Sequence, residues 1–365
     1  MIDKITRPSV LEVNLDNFKY NIEQIRKLLK AETKIMPVIK SEAYGTYINI
    51  RLDIINKFDI VAIATVDEGV DLRKIGFKKE IFVLNQPYIT EIDKIVENNL
   101  TIGICSKEFL EEVENRNCKI KVHIEIETGM GRTGVSLEKL DEFISFIKEN
   151  KNIEVEGVYT HLSSADEDFK YTQEQLEQFE KAVERVKANF DIKYIHCLAS
   201  NGIVNFSKYQ YNLVRPGIIM YGYESGNGIK EKIDLKPVCT LKSKITYIKE
   251  VEKGTSISYG RRFITKRKSK IATVPLGYAD GVKRILSNVG EVVINNQKVP
   301  IIGSICMDSF MIDVTDIKDV KYGDDVYIWD NNLITLNDIA KKCDTINYEI
   351  LSTIGERVPR VFIKN

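Results

Sequence analysis

The sequence lacks the features that suit a chain to nucleic acid, membranes or export. Its 365 residues carry 53 Lys+Arg and 53 Asp+Glu, so the formal net charge is zero and no excess charge is available to attract a polyanion. No stretch approaches about 18 uninterrupted apolar residues, and the N-terminus has no apolar core of the kind found in secretory signals. We therefore expect a soluble, cytoplasmic protein with no nucleic-acid or membrane partner.

Cysteine and histidine patterns are also missing. The six cysteines are scattered between Cys105 and Cys343 without a C-x-x-C pair, which predicts reduced thiols and no disulfides. The three histidines, His123, His161 and His196, show no ligand spacing such as H-x-x-x-H, so we expect no metal site. Isolated histidines of this kind are more often core or hydrogen-bonding residues.

Short β-rich runs alternate with amphipathic helical segments from residue 9 to about 230. Repeated βα units imply a parallel sheet, and about eight in succession imply closure into a (β/α)8 barrel of the TIM type. One run exceeds that number, so we expect the first to pair outside the barrel. The runs cover residues 10–13, 35–39, 60–64, 81–84, 102–105, 120–126, 155–159, 192–196 and 212–214.

The pattern changes after residue 232. Segments such as 293–299 and 326–329 alternate as strands between turn signals, and helical periodicity is rare. The sequence thus predicts an α/β chain with two domains: a barrel over residues 1–232 and a mostly-β C-terminal domain over 233–365. The segment 224–232 is the expected linker.

Lys40 stands where the buried run 35–39 ends, and a tight loop follows it. A partly desolvated lysine has a lowered pKa, so its amine is a usable Schiff-base nucleophile and proton acceptor near neutral pH. The alternative is an ordinary strand-end lysine that extends to solvent.

A barrel places its functional site at the carboxyl ends of the strands, so the residues just after each run form the candidate set. Gly129, Gly131 and Gly217 allow close backbone approach to an anion, and the hydroxyls of Tyr44 and Ser200 lie at strand ends. Together they form a candidate phosphate cradle, although each glycine by itself is better explained as a turn residue than as a phosphate contact.

Eight motifs in order resemble those of the alanine racemases, pyridoxal-phosphate enzymes with a barrel and a β domain. The similarity spans nearly the whole chain. The motifs are KSEAYG at 40–45, ETGMGR at 127–132, TH at 160–161, VRPGI at 214–218, SYG at 258–260, GYADG at 277–281, CMD at 306–308 and RVPR at 357–360.

The resemblance implies a role for each matching residue. Lys40 would hold pyridoxal 5'-phosphate as a Schiff base, His161 would pack against the ring, and Arg215 would face the pyridine nitrogen. The phosphate would lie among Tyr44, Ser200, Gly217, Ile218 and Tyr348. Arginine can only donate, so the nitrogen would stay unprotonated and the ring would be a weaker electron sink than in most such enzymes.

The resemblance also implies a two-base reaction in a homodimer. Lys40 would act on one face of the alanine Cα and Tyr259 of a second copy on the other, which inverts the stereocentre. Arg132 and the backbone amide of Met307 would hold the substrate carboxylate. Tyr278 and Tyr348 would narrow the entrance, and the D-alanine product would serve peptidoglycan synthesis.

Four departures from the family pattern bear on substrate breadth and rate. Glu125 replaces a lysine that is carbamylated in many members, and we expect its carboxylate to fix Arg132 by a charge-assisted hydrogen bond. Ala199 replaces an asparagine, Ser304 replaces a corridor arginine, and residues 40–47 read KSEAYGTY.

Three other functions are alternatives to alanine racemisation. The nearest is a serine or broad-specificity amino-acid racemase of the same family. A non-catalytic pyridoxal-phosphate carrier would lack the β domain and Tyr259, both of which this chain has. A basic-amino-acid decarboxylase of the same fold would require a glycine triplet and a cysteine–aspartate context that do not occur here.

Overall fold

In the computed structural model the chain is described over residues 6–224 and 233–364. It divides into two compact units. The first, the barrel unit, contains residues 20–235, and the second contains residues 1–19 together with residues 236–365. The boundary at 232/233 stays a prediction, and the expected linker lies outside the described residues from 225 onward. Across the described ranges, no helix has both the length and the apolar character that crossing a membrane requires.

The strands and helices of the N-terminal half follow the predicted alternation, and every expected run contains a strand. The strands are β1 (Val10–Asn14), β2 (Lys34–Ile35), β3 (Ile60–Ile63), β4 (Glu80–Val83), β5 (Thr101–Ile104), β6 (Ile120–Glu125), β7 (Ile153–Tyr159), β8 (Tyr194–His196) and β9 (Leu213–Val214). The helices are α1 (Leu15–Lys27), α2 (Lys40–Tyr44), α3 (Leu52–Ile55), α4 (Val66–Lys74), α5 (Ile92–Glu97), α6 (Lys107–Asn115), α7 (Leu140–Glu149), α8 (Phe169–Lys187) and α9 (Ser200–Asn205).

Strands β2 to β9 close into a parallel barrel, which confirms the predicted fold. Strands β3 to β8 form one sheet in chain order, and β2 pairs in parallel with β9. Parallel bridges Val38↔Ala62 and Ala199↔Arg215 join the two parts. Strands β3 and β5 are buried along their whole length, because helices cover a parallel barrel on the outside and side chains fill it on the inside.

The second unit is built on an antiparallel-rich sheet. Its strands are β10 (Cys239–Lys244), β11 (Tyr247–Val251), β12 (Ser256–Ile257), β13 (Phe263–Ile264), β14 (Ser269–Val274), β15 (Glu291–Ile294), β16 (Gln297–Ile302), β17 (Phe310–Asp313), β18 (Asp325–Trp329) and β19 (Arg360–Ile363). Its helices are α10 (Leu336–Lys342) and α11 (Asn347–Ser352). Strand β1 lies between β10 and β19 in this sheet, so the first predicted run does pair outside the barrel.

A buried carboxylate ties distant segments of the second unit together. Asp280 has a fully buried side chain and accepts hydrogen bonds from Arg7 at 2.7 Å and from two nitrogens of Arg357 at 3.0 and 3.1 Å. Its other oxygen accepts from the backbone N–H of Gly277 at 2.9 Å. Arg357 also reaches Asp308 at 2.7 Å. The RVPR, GYADG and CMD motifs are therefore joined by one ionic cluster.

We predict that Asp280→Asn lowers the free energy of unfolding by about 2 kcal/mol, because it removes the charge that two partly exposed arginines share. Thermal unfolding of the purified protein measures the loss. Asp325→Asn is the control, since its pair with Lys244 is solvent-exposed and should contribute less than about 0.5 kcal/mol. Equal shifts in the two variants would contradict a structural role for the cluster.

Candidate active site

Lys40 follows a segment that is fixed to both of its neighbours in the barrel. The backbone N–H groups of Met36 and Val38 donate to the carbonyls of Val214 and Pro216, and that of Ile39 donates to Ala62, each at 2.9 Å. Lys40 therefore stands at the carboxyl end of this barrel segment. Burial lowers the pKa of Lys40, and the nearby charges of Arg132 and Arg215 lower it further, while Glu68 opposes them.

The residues after Lys40 form a single left-handed turn. The φ angles are 52° at Ser41, 51° at Glu42, 52° at Ala43 and 58° at Tyr44, and Gly45 ends the turn at 76°. Left-handed helical geometry costs L-residues about 1–2 kcal/mol each, so the turn needs external support. The sequence predicted a tight loop here, but nothing in the residue types predicted its handedness.

Glu68 supplies that support. One of its carboxylate oxygens accepts from the backbone N–H of Ser41 at 2.5 Å. The other accepts from the N–H groups of Ala64 at 2.7 Å and Thr65 at 3.1 Å. Because Thr65 caps helix α4 in return, one side chain joins a helix N-terminus to the turn that carries Lys40. The T-x-x-E spacing is a recognisable capping box, but its second role was missed in the sequence.

The candidate phosphate cradle comes together in the barrel unit. The backbone N–H of Gly217 donates to Ser200 Oγ at 3.0 Å. A Cβ placed on Gly217 would lie 2.5 Å from Tyr44 Oη and 3.7 Å from Ser200 Oγ, so only glycine leaves this space open. Ile218 follows at the start of a buried 3-10 turn, and the Tyr44 ring lies 4.8 Å from that of Tyr221.

Arg215 lies 1% exposed at the end of β9 and contacts only neutral acceptors among the described residues. It donates to His196 Nδ1 at 2.6 Å and to His161 Nδ1 at 3.2 Å. It also donates to the carbonyls of Thr160 at 2.8 Å, His196 at 3.0 Å and Cys197 at 3.4 Å. Since a guanidinium cannot accept, both imidazoles must present an unprotonated Nδ1 to it.

The tautomers of the buried histidines follow from that donor. His196 carries its proton on Nε2 and donates to His123 Nδ1 at 2.9 Å, which leaves the His123 proton on its own Nε2. Burial lowers the pKa of His161 and of His123 to about 3, and that of His196 falls well below its ordinary value. All three rings are therefore neutral near pH 7, and none adds a positive charge to the site.

Arg132 lies on a loop that is folded back onto β6. The N–H of Val135 donates to the carbonyl of Glu125 at 2.8 Å, and that of Glu127 donates to Val135 at 3.0 Å. The Glu127 carboxylate accepts from the N–H groups of Gly129 and, at 2.9 Å, Gly131. The Arg132 side chain is exposed. Within the described ranges no ion pair joins Arg132 to Glu125, so the structure does not contain the bond expected from the sequence.

The remaining predicted residues lie in the second unit. Tyr259 is 72% exposed, Tyr278 43% and Met307 52%. The carbonyl of Tyr259 accepts from Ser304 Oγ at 3.1 Å, the N–H of Tyr278 donates to Cys306 at 3.0 Å, and that of Ala279 donates to Met307 at 3.1 Å. These bonds connect all three residues to the strand-end loop at 304–307. Tyr348 lies in α11 of the same unit.

Comparison with known protein families assigns both halves of the chain. Residues 13–225 match the model of the alanine racemase N-terminal domain, and residues 238–362 match that of the alanine racemase C-terminal domain. An alanine racemase of Halothermothrix orenii is 40% identical, with 99% of this chain and 98% of that protein covered. Alanine racemase 2 of Caldanaerobacter subterraneus is 39% identical, with 100% and 96% covered.

Solved structures agree with the sequence matches. The alanine racemase of Clostridium difficile superposes with a TM-score of 0.92 at 36% identity, with 99% of this chain and 97% of that chain covered. The alanine racemase of Bacillus anthracis with bound L-Ala-P superposes with a TM-score of 0.93 at 33% identity, with 99% and 96% covered.

We predict that Glu68→Gln lowers the free energy of unfolding by about 1.5–3 kcal/mol, because an amide oxygen replaces the carboxylate that three backbone N–H groups share. Asp338→Asn is the matched control, since Asp338 forms the same capping box with Thr335 on α10 but supports no strained turn. Asp338→Asn should lower the free energy of unfolding by only about 1 kcal/mol.

Urea unfolding measures both losses, and amide hydrogen exchange reads the turn directly. The amides of Ala43 and Gly45 should exchange at least about ten times faster in Glu68→Gln than in the control, because a loss of about 1.4 kcal/mol in the opening free energy corresponds to that factor. Unchanged exchange at these amides would show that Glu68 is only a helix cap.

Proposed function

Because the chain belongs to the alanine racemase family, we propose that it interconverts L-alanine and D-alanine with pyridoxal 5'-phosphate as cofactor. The observation that carries this proposal is the surroundings of Lys40. A lysine of lowered pKa stands at a barrel strand end, in the same unit as a buried, donor-only arginine and an open cradle of two hydroxyls and a glycine. The family is pyridoxal-phosphate-dependent, and these three elements match the aldehyde, the ring nitrogen and the phosphate of that cofactor.

The fit is chemical as well as spatial. Tyr44 and Ser200 provide hydroxyl groups that suit phosphate oxygens, and a Cβ on Gly217 would collide with the Tyr44 hydroxyl, so glycine keeps the cradle free of a side chain. When bound, pyridoxal phosphate supplies the electron sink that makes the Cα proton of an amino acid labile. The guanidinium of Arg215 can donate hydrogen bonds but cannot accept them, so a ring nitrogen that faces it must be the acceptor and stays unprotonated. A weakened sink of this kind favours return of the proton to Cα over transamination.

Two groups on opposite faces of Cα are needed to invert it. The lowered pKa of Lys40 raises the fraction of neutral amine near pH 7, which lets it remove or return the proton on one face. Tyr259 removes or returns the Cα proton on the other face. Arg132 and the backbone N–H of Met307 bind the substrate carboxylate, His161 packs against the ring, and Tyr278 and Tyr348 limit the pocket to a small side chain.

The surface around Tyr259 supports a homodimer in which each site uses this tyrosine from the other copy. Three exposed arginines, Arg261, Arg262 and Arg284, form no ion pair within the described ranges, and exposed Ile285 (58%) and Val289 (57%) lie beside Arg284 in the chain. Asn288 connects the two segments, because its amide donates to the carbonyl of Arg262 at 3.4 Å. Aromatic residues, methionine and arginine are typical of protein–protein interfaces.

The nearest alternative is a serine or broad-specificity racemase of the same family. Racemisation assays on L-alanine and L-serine, each with purified holoenzyme, distinguish the two. A higher kcat/KM for serine would favour the alternative. In the cell, we expect the protein in the cytoplasm, where its D-alanine would supply peptidoglycan synthesis.

We predict that the purified protein shows a visible absorbance band from bound cofactor and that Lys40→Ala abolishes both this band and racemisation, because the covalent link requires the amine. Lys57→Ala, an exposed lysine of the same unit, is the control and should keep both. A covalent pyridoxyl adduct formed by borohydride in Lys40→Ala would place the cofactor on another residue.

We also predict that Lys40→Ala and Tyr259→Phe subunits, each inactive alone, regain activity when they are mixed and allowed to exchange. In a hybrid dimer one of the two sites carries both intact residues, so about one quarter of wild-type activity is the statistical upper limit at equal mixing. Absence of activity despite demonstrated subunit exchange would contradict a site shared between copies.

A further inference from the structure

The interior of the barrel unit contains one carboxylate and one guanidinium among its described residues. Glu125, the last residue of β6, is 2% exposed, and Arg215, just after β9, is 1% exposed. Every other Asp, Glu, Lys or Arg side chain described in this unit is more exposed, and the fully buried His123 and His196 are neutral. Two buried charges of opposite sign inside one barrel call for an explanation, because burying either alone is costly.

Tyr159 lies between the two charges. The register of β6 and β7 pairs Glu125 with Tyr159. The Tyr159 ring stacks on His196 at 5.1 Å with an interplanar angle of 5°, and the Arg215 Cζ lies 5.6 Å from the centre of the same ring. Gly103 on β5 makes room for this ring, since a Cβ there would lie 2.2 Å from Tyr159 Oη. The tyrosine is thus in contact with the cation and adjacent to the anion.

Glu125 is poorly compensated where it lies. Its Oε2 is buried without a hydrogen-bond partner within the described part of the chain, and so is Thr133 Oγ1 on the loop that follows β6. Burial raises the pKa of Glu125, while the charges of Arg132 and Arg215 oppose that rise. The Tyr159 hydroxyl donates its proton to the carbonyl of Leu84 at 2.6 Å, so it is not available to the carboxylate. Cys105, at the end of β5, is the remaining titratable group that faces it.

Side-chain packing alone does not explain why residue 125 is a glutamate. A glutamine has nearly the same shape, and it would avoid the cost of a buried charge with an unpaired oxygen. An ion pair with Arg132 does not account for it either, because Arg132 is exposed and no bond joins the two in the described ranges. The charge of Glu125 acts on both arginines, but only the guanidinium of Arg215 is buried, and charges interact most strongly where water is excluded.

We propose that Glu125 is a positioning residue for Arg215: its carboxylate, acting across the Tyr159 ring, balances the buried guanidinium and keeps it oriented toward the ring nitrogen of the cofactor. This inference rests on the proposed function for what Arg215 faces. The arrangement of the two charges itself is independent of that function. Tyr159 then serves as the spacer that prevents direct pairing, which would draw Arg215 away from the site.

The test compares Glu125→Gln with the wild-type protein, with Glu156→Gln as control. Glu156 lies on the neighbouring strand β7 and pairs with Lys121 at 3.2 Å, so its replacement also removes one negative charge from this barrel. Glu125→Asp keeps the charge and serves as the conservative variant. Three readouts are taken on holoenzyme: thermal stability against pH, the visible band of the bound cofactor, and the separate values of kcat and KM for L-alanine.

The sign of the stability change follows from the pKa. A carboxyl whose pKa is raised by folding costs stability above its unfolded pKa, and that cost is complete once the pH exceeds the folded pKa. Glu125→Gln should therefore gain in melting temperature relative to wild type as the pH rises above the ordinary pKa of a glutamate, about 4.3, and the gain should level off above the raised pKa of the folded protein. Glu156→Gln should show no such gain, because its parent carboxylate is paired near the surface.

The functional readouts should move in the opposite direction. We expect a shift of the visible band and a fall of about tenfold in kcat with little change in KM, since loss of the counter-charge acts on Arg215 and leaves Arg132 exposed as before. Glu125→Asp should recover part of kcat. Glu125→Gln would then gain stability and lose activity. A residue with a purely structural role would not give this combination of results.

Three outcomes would overturn the proposal. If the visible band of the cofactor and kcat are unchanged in Glu125→Gln, the charge of Glu125 does not influence Arg215. A raised KM with an unchanged band would assign Glu125 to Arg132 instead. A lower melting temperature at every pH would reduce it to a structural residue. If wild-type protein neither bound pyridoxal phosphate nor racemised alanine, the proposed function would fail, whereas the pH dependence of stability would still report on the two buried charges.

Discussion

The buried guanidinium of Arg215 holds together the carboxyl ends of the last three barrel strands. Its donors satisfy carbonyl oxygens that follow β7 and β8, and its own backbone N–H donates to Leu198 at 2.9 Å. The His196 carbonyl also accepts from the backbone N–H of Thr160 at 3.3 Å, so the five fixed donors of Arg215 add side-chain bonds to the backbone bonds that join these strand ends. Because it can only donate, it also determines the protonation of two neighbouring histidines.

The barrel could be predicted from the sequence because its signals are local and repeated. Strands buried on both faces read as continuous apolar runs, and each is followed by a helix of period near 3.6, so the βα alternation was visible without any tertiary information. The first run, 10–13, was expected outside the barrel only because the count exceeded eight. Its position between β10 and β19 depends on segments more than 200 residues away, which no local pattern describes.

The sequence identified candidate residues at the strand ends of the barrel but could not predict their local geometry. Lys40, Arg132, Ser200 and Arg215 follow predicted strands, and barrel topology alone brings such residues to one end. The left-handed turn at 41–44 depends on a carboxylate from α4, and its residues have no preference for positive φ. The neutral state of the histidines likewise follows from burial and from contact with Arg215. Both depend on the tertiary structure and cannot be seen in the sequence.

Three costly features of the barrel unit occur at the carboxyl ends of its strands: the left-handed turn after Lys40, the cation of Arg215 without a carboxylate in contact, and the unpaired oxygen of Glu125. The amino ends are built differently. There Lys34 pairs with Asp59 at 3.0 Å and Lys121 with Glu156 at 3.2 Å, in positions where partial exposure keeps each charge hydrated. Sequences usually satisfy local rules and depart from them where function requires it. Single left-handed residues also precede strands at the amino ends, at Asn99, Asn117 and Tyr211, so what distinguishes the carboxyl ends is the run of four left-handed residues after Lys40 and the two buried charges.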